Sequence, residues 1–265
     1  MPKTILTPIL IEGSPNIIQL RFSDTSTKQL AVNQRLGNEE MGKLLSCVIS
    51  PGPIVKIGHP QWWHLTPMLK HCIRSSKTNT NADLLENIYK DAELYLVQVS
   101  CAFQSDIERP VEYARLTTYL RPQSGQKNPV ALDIYPRQVL SPDKINTQTE
   151  VKITSSLTFT DNECNNIPDD WINIVFNTLP PIINGNITGE SAPYWEFLKF
   201  NSQQLFDSRF GYLIIKKPRI AKAVRIIIDI STQVRTPFGL LIAESKEKDK
   251  PILTQTICTE WINIL

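Results

Sequence analysis

All three histidines of the 265-residue chain, His59, His64 and His71, fall within thirteen residues, with Cys72 adjacent and Cys47 upstream. On a helix, His64 and His71 stand two turns apart on one face, and imidazole with thiolate is zinc chemistry. The spacing matches no zinc-finger, His-Glu-x-x-His or paired-cysteine pattern. The competing reading makes Trp62, Trp63 and His64 an aromatic docking edge, with His71 in solvent. His64, His71 and Cys72 therefore enter as a candidate metal or hydrolytic pocket, and Trp62 and Trp63 as a candidate partner contact.

Nucleophilic catalysis has no comparable cluster. The chain contains no Gly-x-Ser-x-Gly elbow, no cysteine in a protease-like signature and no glycine-rich phosphate loop. Asp169 and Asp170 would serve acid–base work if buried together. However, Ile167-Pro168-Asp169-Asp170-Trp171 reads as a turn before a strand, where Asp bonds its own backbone. No catalytic residue and no cofactor are assigned.

Tyr113, Arg115, Tyr119 and Arg121 share one side of a strand, with Thr117 between the pairs. Such a face stacks bases and meets phosphates, as on sheet-surface RNA binders. It is also the pattern of a solvated sheet face held by aromatic and arginine cross-strand pairs. That reading is preferred, because no RNP-like, KH-like or zinc-knuckle pattern accompanies the residues. Nucleic acid remains an alternative partner.

Charge is segregated along the chain. From Ile153 to Leu198 there is no Lys or Arg, while Asp161, Glu163, Asp169, Asp170, Glu190 and Glu196 give a net −6. From Lys199 to Ile228, Lys199, Arg209, Lys216, Lys217, Arg219, Lys222 and Arg225 stand against Asp207 alone, a net +6. Lys216, Lys217, Arg219 and Lys222 crowd one connector and form the candidate partner-binding tip. Either the two zones compensate inside one molecule, or they steer a partner or a second copy of the chain. A basic tip also suits phosphates or an anionic membrane surface.

The elements that position these residues change character along the chain. Asn38 to Val48 has a helical start, with Asn38 as cap and Glu39 and Glu40 suited to the N-terminal dipole. Gln61 to Ser75 and Ala82 to Lys90 read as further helices, joined by the polar run Ser75 to Asn81. Ile17 to Phe22 alternates as a strand. From Glu93 the period becomes alternating. Glu93 to Phe103, Glu112 to Leu120, Val130 to Tyr135, Val151 to Phe159, Trp171 to Phe176 and Tyr194 to Phe200 read as strands. So do Phe210 to Lys216, Ala223 to Val234, Phe238 to Ala243 and a final segment from Ile252. Two hairpins are expected, one around Lys217 to Lys222 and one around Glu244 to Pro251.

Composition bounds the rest. A net charge of +2 and 41% hydrophobic residues describe a globular chain, neither a polycation nor a disordered tail. Ten glycines against 19 prolines leave little material for phosphate-cradling loops. No apolar run reaches the length of a membrane-spanning helix, and Met1 to Ile11 lacks the features of a signal peptide. Five widely spaced cysteines without a Cys-x-x-Cys pair read as reduced thiols in the cytoplasm. The expected fold is mainly β, an antiparallel β-sandwich or open barrel over residues 81–265 with a mixed, helical N-terminal extension over residues 1–80. The expected function is a non-enzymatic protein-interaction or assembly module, with a protein partner or self-association. A hydrolase with a pocket at the His/Cys cluster and a nucleic-acid or anionic-surface binder are the alternatives.

Overall fold

A computed structural model describes residues 5–6, 16–49, 52–58, 60–75, 82–104, 109–122, 127–139, 149–154, 157–161, 172–176, 183–187, 191–199, 205, 207–221, 223–244 and 253–257. In chain order it begins with β1 (Ile5–Leu6), β2 (Asn16–Gln19), β3 (Arg21–Phe22), α1 (Asp24–Gln34), α2 (Asn38–Ile49), β4 (Ile54–Ile57) and β5 (Gln61–His64). Next come α3 (Leu65–Ser75), α4 (Ala82–Asp91), β6 (Ala92–Gln104), β7 (Val111–Pro122), β8 (Val130–Tyr135), β9 (Gln138–Val139) and β10 (Thr149–Ile153). The chain continues through β11 (Phe159–Asp161), β12 (Ile172–Phe176), β13 (Ile183–Asn186) and β14 (Tyr194–Leu198). It ends with β15 (Asp207–Pro218), β16 (Val224–Thr236), β17 (Gly239–Glu244) and β18 (Leu253–Ile257).

The fold is mainly β, as the alternation requires. A central sheet runs β2-β4-β6-β15-β8, with β5 also on β6. An outer sheet runs β3-β17-β16-β7-β14-β13-β9, with β18 also on β16. A small sheet orders β1-β12-β10-β11, in which β1 and β12 pair in parallel while the other pairs are antiparallel. The central and outer sheets share the larger core in a sandwich-like arrangement. Tyr95, Val97, Val99, Cys101 and Phe103 of β6 meet Leu116 and Leu120 of β7 and Ile226, Ile228 and Ile230 of β16 in one buried cluster. Among the described residues, no helix is long and apolar enough to cross a membrane.

β6 is buried on both faces, where alternation alone implied one. Its other face, Leu94 and Leu96, packs with Leu65 and Leu69 of α3, Tyr89 of α4 and Val151 and Ile153 of β10 in a second cluster. A strand at the centre of stacked layers has no solvent side. β7 and β16 do keep a wet face, because among the described residues no further layer covers the outer sheet: their buried residues alternate with half-buried or exposed ones.

Five sequence expectations are corrected. The helix expected from Gln61 begins at Leu65, and Gln61–His64 instead pair with Gln98–Tyr95 of β6. Pro67 explains the boundary, since a helix through Gln61 would need a Pro67 N–H to reach the Trp63 carbonyl. The strand expected over Val151 to Phe159 is a hairpin: Leu157 takes a left-handed φ of 61°, its N–H donates to the Thr154 carbonyl at 2.9 Å, and β11 folds back on β10. The connector at Lys217–Lys222 joins no hairpin, because β15 fills both edges with β6 and β8 while β16 lies in the other sheet. The chain crosses between sheets there. Likewise β17 and β18 do not pair; they lie end to end along the same edge of β16. Asn38 opens α2 rather than capping it, for the Gly37 N–H donates to Glu40 Oε2 at 3.1 Å and the Met41 N–H to the Gly37 carbonyl at 2.8 Å.

The boundary expected at residue 80 does not divide the core. β2, β4 and β5 are strands of the central sheet, β3 joins the outer sheet, and Leu20, Phe22, Leu44, Val55 and Ile57 lie in the larger cluster. The expected linker, residues 76–81, lies outside the described residues.

Candidate functional site

Two places gather the functional side chains. The first is the corner where β15 leaves the central sheet. Register sets Lys217 directly opposite Glu93 of β6. Lys217 Nζ lies 3.1 Å from Glu93 Oε2 and donates to the Ala221 carbonyl at 2.9 Å. The Tyr95 hydroxyl donates to the same Glu93 oxygen at 3.0 Å. Arg219 caps the corner: its Nε donates to the Tyr89 carbonyl at 3.1 Å, its backbone N–H to the Asp91 carbonyl at 2.9 Å, and its Nη1 lies 3.8 Å from Glu93 Oε1. Burial and the Glu93 carboxylate together push the Tyr95 hydroxyl pKa well up.

His64, at the end of β5, faces this corner. Its ring stacks on Tyr95 with centroids 4.8 Å apart and an interplanar angle of 13°. Its Nε2 is buried with no hydrogen-bond partner among the described residues. Burial lowers the imidazole pKa, Glu93 opposes that, and Lys217, Arg219 and Lys70 lower it further. His64 thus joins the basic connector rather than sharing a helix face with His71 and Cys72, whose side chains lie outside the described residues, as does His59. Among the described residues, no three His, Cys, Asp or Glu side chains converge to hold a metal ion.

The candidate partner contacts separate as well. Lys217 is 2% exposed, Arg219 is tied down at the corner, Lys216 is half-buried, and Lys222 lies outside the described residues. Trp62 and Trp63 point to opposite sides of β5, one against the larger cluster and one against the smaller, so they form no joint patch. Of the acidic zone, Glu196 stands directly opposite Arg115. Lys199 pairs with Glu112 and Lys217 with Glu93, both outside residues 153–198, while Glu196 accepts from Tyr113 and Asn184.

The second place is the uncovered face of the outer sheet, where β7 runs between β14 and β16. The Tyr113 hydroxyl donates to Glu196 Oε1 at 2.6 Å, and burial followed by that bond pushes its pKa up. The Arg115 guanidinium stacks 3.8 Å above the Tyr194 ring, and its Nε has no hydrogen-bond partner among the described residues. These are the cross-strand aromatic and arginine pairs that the strand pattern implied. Further along, Arg121 stands directly opposite Arg225, and Tyr119 opposite Ile227. Both Arg121 and Arg225 are exposed. Arg225, Tyr194, Glu93 and Glu112 were not singled out from the sequence as site residues. The alternation of Ala223 to Val234 puts Arg225 on the polar face, but only the register shows which residue it meets.

No family model and no curated protein matches the chain. Among solved structures, a "Pore forming protein" is 10% identical over 77% of this chain and 89% of its own, with a TM-score of 0.37. The delta-toxin of Clostridium perfringens is 8% identical over 77% and 88%, with a TM-score of 0.33. The NetB toxin of Clostridium perfringens in its membrane-inserted form is 8% identical over 63% and 82%, with a TM-score of 0.31. Likeness at this level assigns neither a family nor an activity, and the functional reading rests on the chain's own residues.

Proposed function

We propose that the chain is a binding module that holds single-stranded nucleic acid on the uncovered face of its outer sheet. The observation that carries this reading is the Arg121–Arg225 cross-strand pair, exposed and without an acidic partner among the described residues. Like charges directly opposite on a sheet are destabilising, and a phosphate between them offsets that repulsion. Tyr119 and Tyr113 continue the same face, with Arg115 stacked on the Tyr194 ring beside them, and Tyr119 supplies a ring on which a base stacks. The corner supports binding over catalysis, since Glu93 is already engaged by Lys217 and Tyr95 and is not free to act as a base.

The test is fluorescence anisotropy with a labelled oligouridine, competed by duplex DNA and by vesicles containing phosphatidylserine. Binding should weaken steeply with salt. It should fall at least tenfold in Arg121→Glu with Arg225→Glu and several-fold in Tyr119→Ala, with unchanged circular dichroism. Binding that survives the double charge reversal, or a chain that takes vesicles and not the oligonucleotide, overturns the proposal.

A further inference from the structure

We propose that His64 is the acid sensor of a latch holding the end of β5 against β6 and the corner between β15 and β16. β5 meets β6 through the four pairs Gln61–Gln98 to His64–Tyr95, the Leu94 N–H donates to Thr66 Oγ1 at 2.9 Å just inside α3, and Trp62 and Trp63 pack against the two cores. α3 itself is anchored by Leu65 and Leu69, which are buried with Leu94 and Leu96. At the end of β5, His64 stacks on Tyr95.

The buried Nε2 suits a neutral imidazole. Nε2 is sealed from water with no acceptor among the described residues, so a proton placed there finds no partner. Among the described residues, the charged and aromatic groups around the ring come from several elements. β6 supplies Tyr95 and Glu93, β15 supplies Lys217, the corner supplies Arg219, and α3 supplies Lys70, whose Nζ sits 5.6 Å above the Tyr89 ring of α4. The one carboxylate in that set already serves Lys217 and Tyr95 and lies near Arg219. An imidazolium would therefore be a further cation around a committed anion. It relieves that repulsion by swinging into water, which breaks the stack and frees the end of β5 from β6. The folded state binds the His64 proton less tightly than the unfolded chain. The latch is thus fully closed above about pH 6.5, the ordinary value for histidine, and opens as pH falls below it.

The test is amide hydrogen exchange of the full chain between about pH 7.5 and 5, corrected for intrinsic exchange, alongside an NMR titration of the imidazole signals. Wild-type protein should lose protection reversibly over residues 61–66 and 94–98, in step with a His64 midpoint below about 6.5. His64→Phe, which keeps a ring on Tyr95 and cannot take a proton, should abolish the transition and identify the His64 resonance. Lys70→Glu, at an exposed position, should move the midpoint to higher pH by relieving one repulsion. An unchanged acid transition in His64→Phe, or no upward shift in Lys70→Glu, overturns the proposal. Should His64→Phe fail to fold, His64→Gln, which also cannot take a proton, replaces it in both readings.

Discussion

Lys217 stands directly opposite Glu93 across the β15–β6 pair, its Nζ 3.1 Å from Glu93 Oε2, with both side chains almost wholly removed from solvent. Removing one member strands a buried charge, so Glu93→Ala or Lys217→Ala should each lower stability by about 3–5 kcal/mol. Replacing both, as Glu93→Leu with Lys217→Met, should recover most of that loss, because the desolvation cost disappears with the pair. Urea denaturation of the three variants checks this. Single variants within experimental error of wild type would contradict a buried, mutually dependent pair.

Gly211 of β15 passes directly beneath Trp195 of β14, linking the central and outer sheets. A Cβ at Gly211 would lie 2.6 Å from two atoms of the indole ring, and Trp195 is fully buried. Gly211→Ala should cost about 1–3 kcal/mol by overpacking. Adding Trp195→Leu should lessen the penalty of the glycine change, which a double-mutant cycle in denaturant reads directly.

Glu112 accepts from Arg235 Nε and from Arg235 Nη2 at 3.1 Å, and it also pairs with Lys199. The Arg235 hydrogen bonds, against some desolvation and helped by Lys199, hold its carboxyl below the ordinary value. Its contribution to stability is therefore complete above about pH 4.3, the unfolded-state value, and is lost as pH falls through the lower folded value. The difference in urea midpoint between wild type and Glu112→Gln should be constant from about pH 7 to 5 and close progressively below that. A difference that widens in acid would have the wrong sign.

If oligonucleotide phosphates meet Arg121 and Arg225, the dependence of log K on log salt should lose about 1.4 in slope when both are replaced by Gln, or about 0.7 per contact on a single strand. Tyr119→Ala should weaken binding without changing that slope, because stacking releases no counterions. Anisotropy titrations at four salt concentrations separate the two effects.

Cys101 is wholly buried on β6, and burial pushes its thiol up to about 12, with Arg209 only partly opposing. The thiolate is the reactive form. Alkylation at about pH 8 should leave the Cys101 peptide unmodified in the native chain and modify it in urea, as read by mass spectrometry. Rapid native labelling would contradict its burial.

Much of the secondary structure is local and could be read from the chain alone. The two-residue period of Glu112 to Leu120 matches β7 with its buried and half-buried residues in the expected order, and Ala82 to Lys90 is α4. Expectations failed where a local pattern met a remote constraint. Trp62 and Trp63 are compatible with an amphipathic helix, and it is the Pro67 boundary and the free edge of β6 that make them a strand. Pairing between β15 and β16 looked natural from their short connector, but a strand has two edges, and β6 and β8 already occupy those of β15.

The sequence by itself determined the class of fold, the positions of most strands, and the polar face bearing Tyr113, Arg115, Tyr119 and Arg121. These follow from side-chain alternation, which each strand carries without reference to any other. Only the tertiary structure decided that Lys217 meets Glu93, that His64 joins them, and that Arg121 faces Arg225. Those relationships depend on sheet register and on which edges remain open. Both are set by collective packing of strands distant in sequence, and no window along the chain contains them.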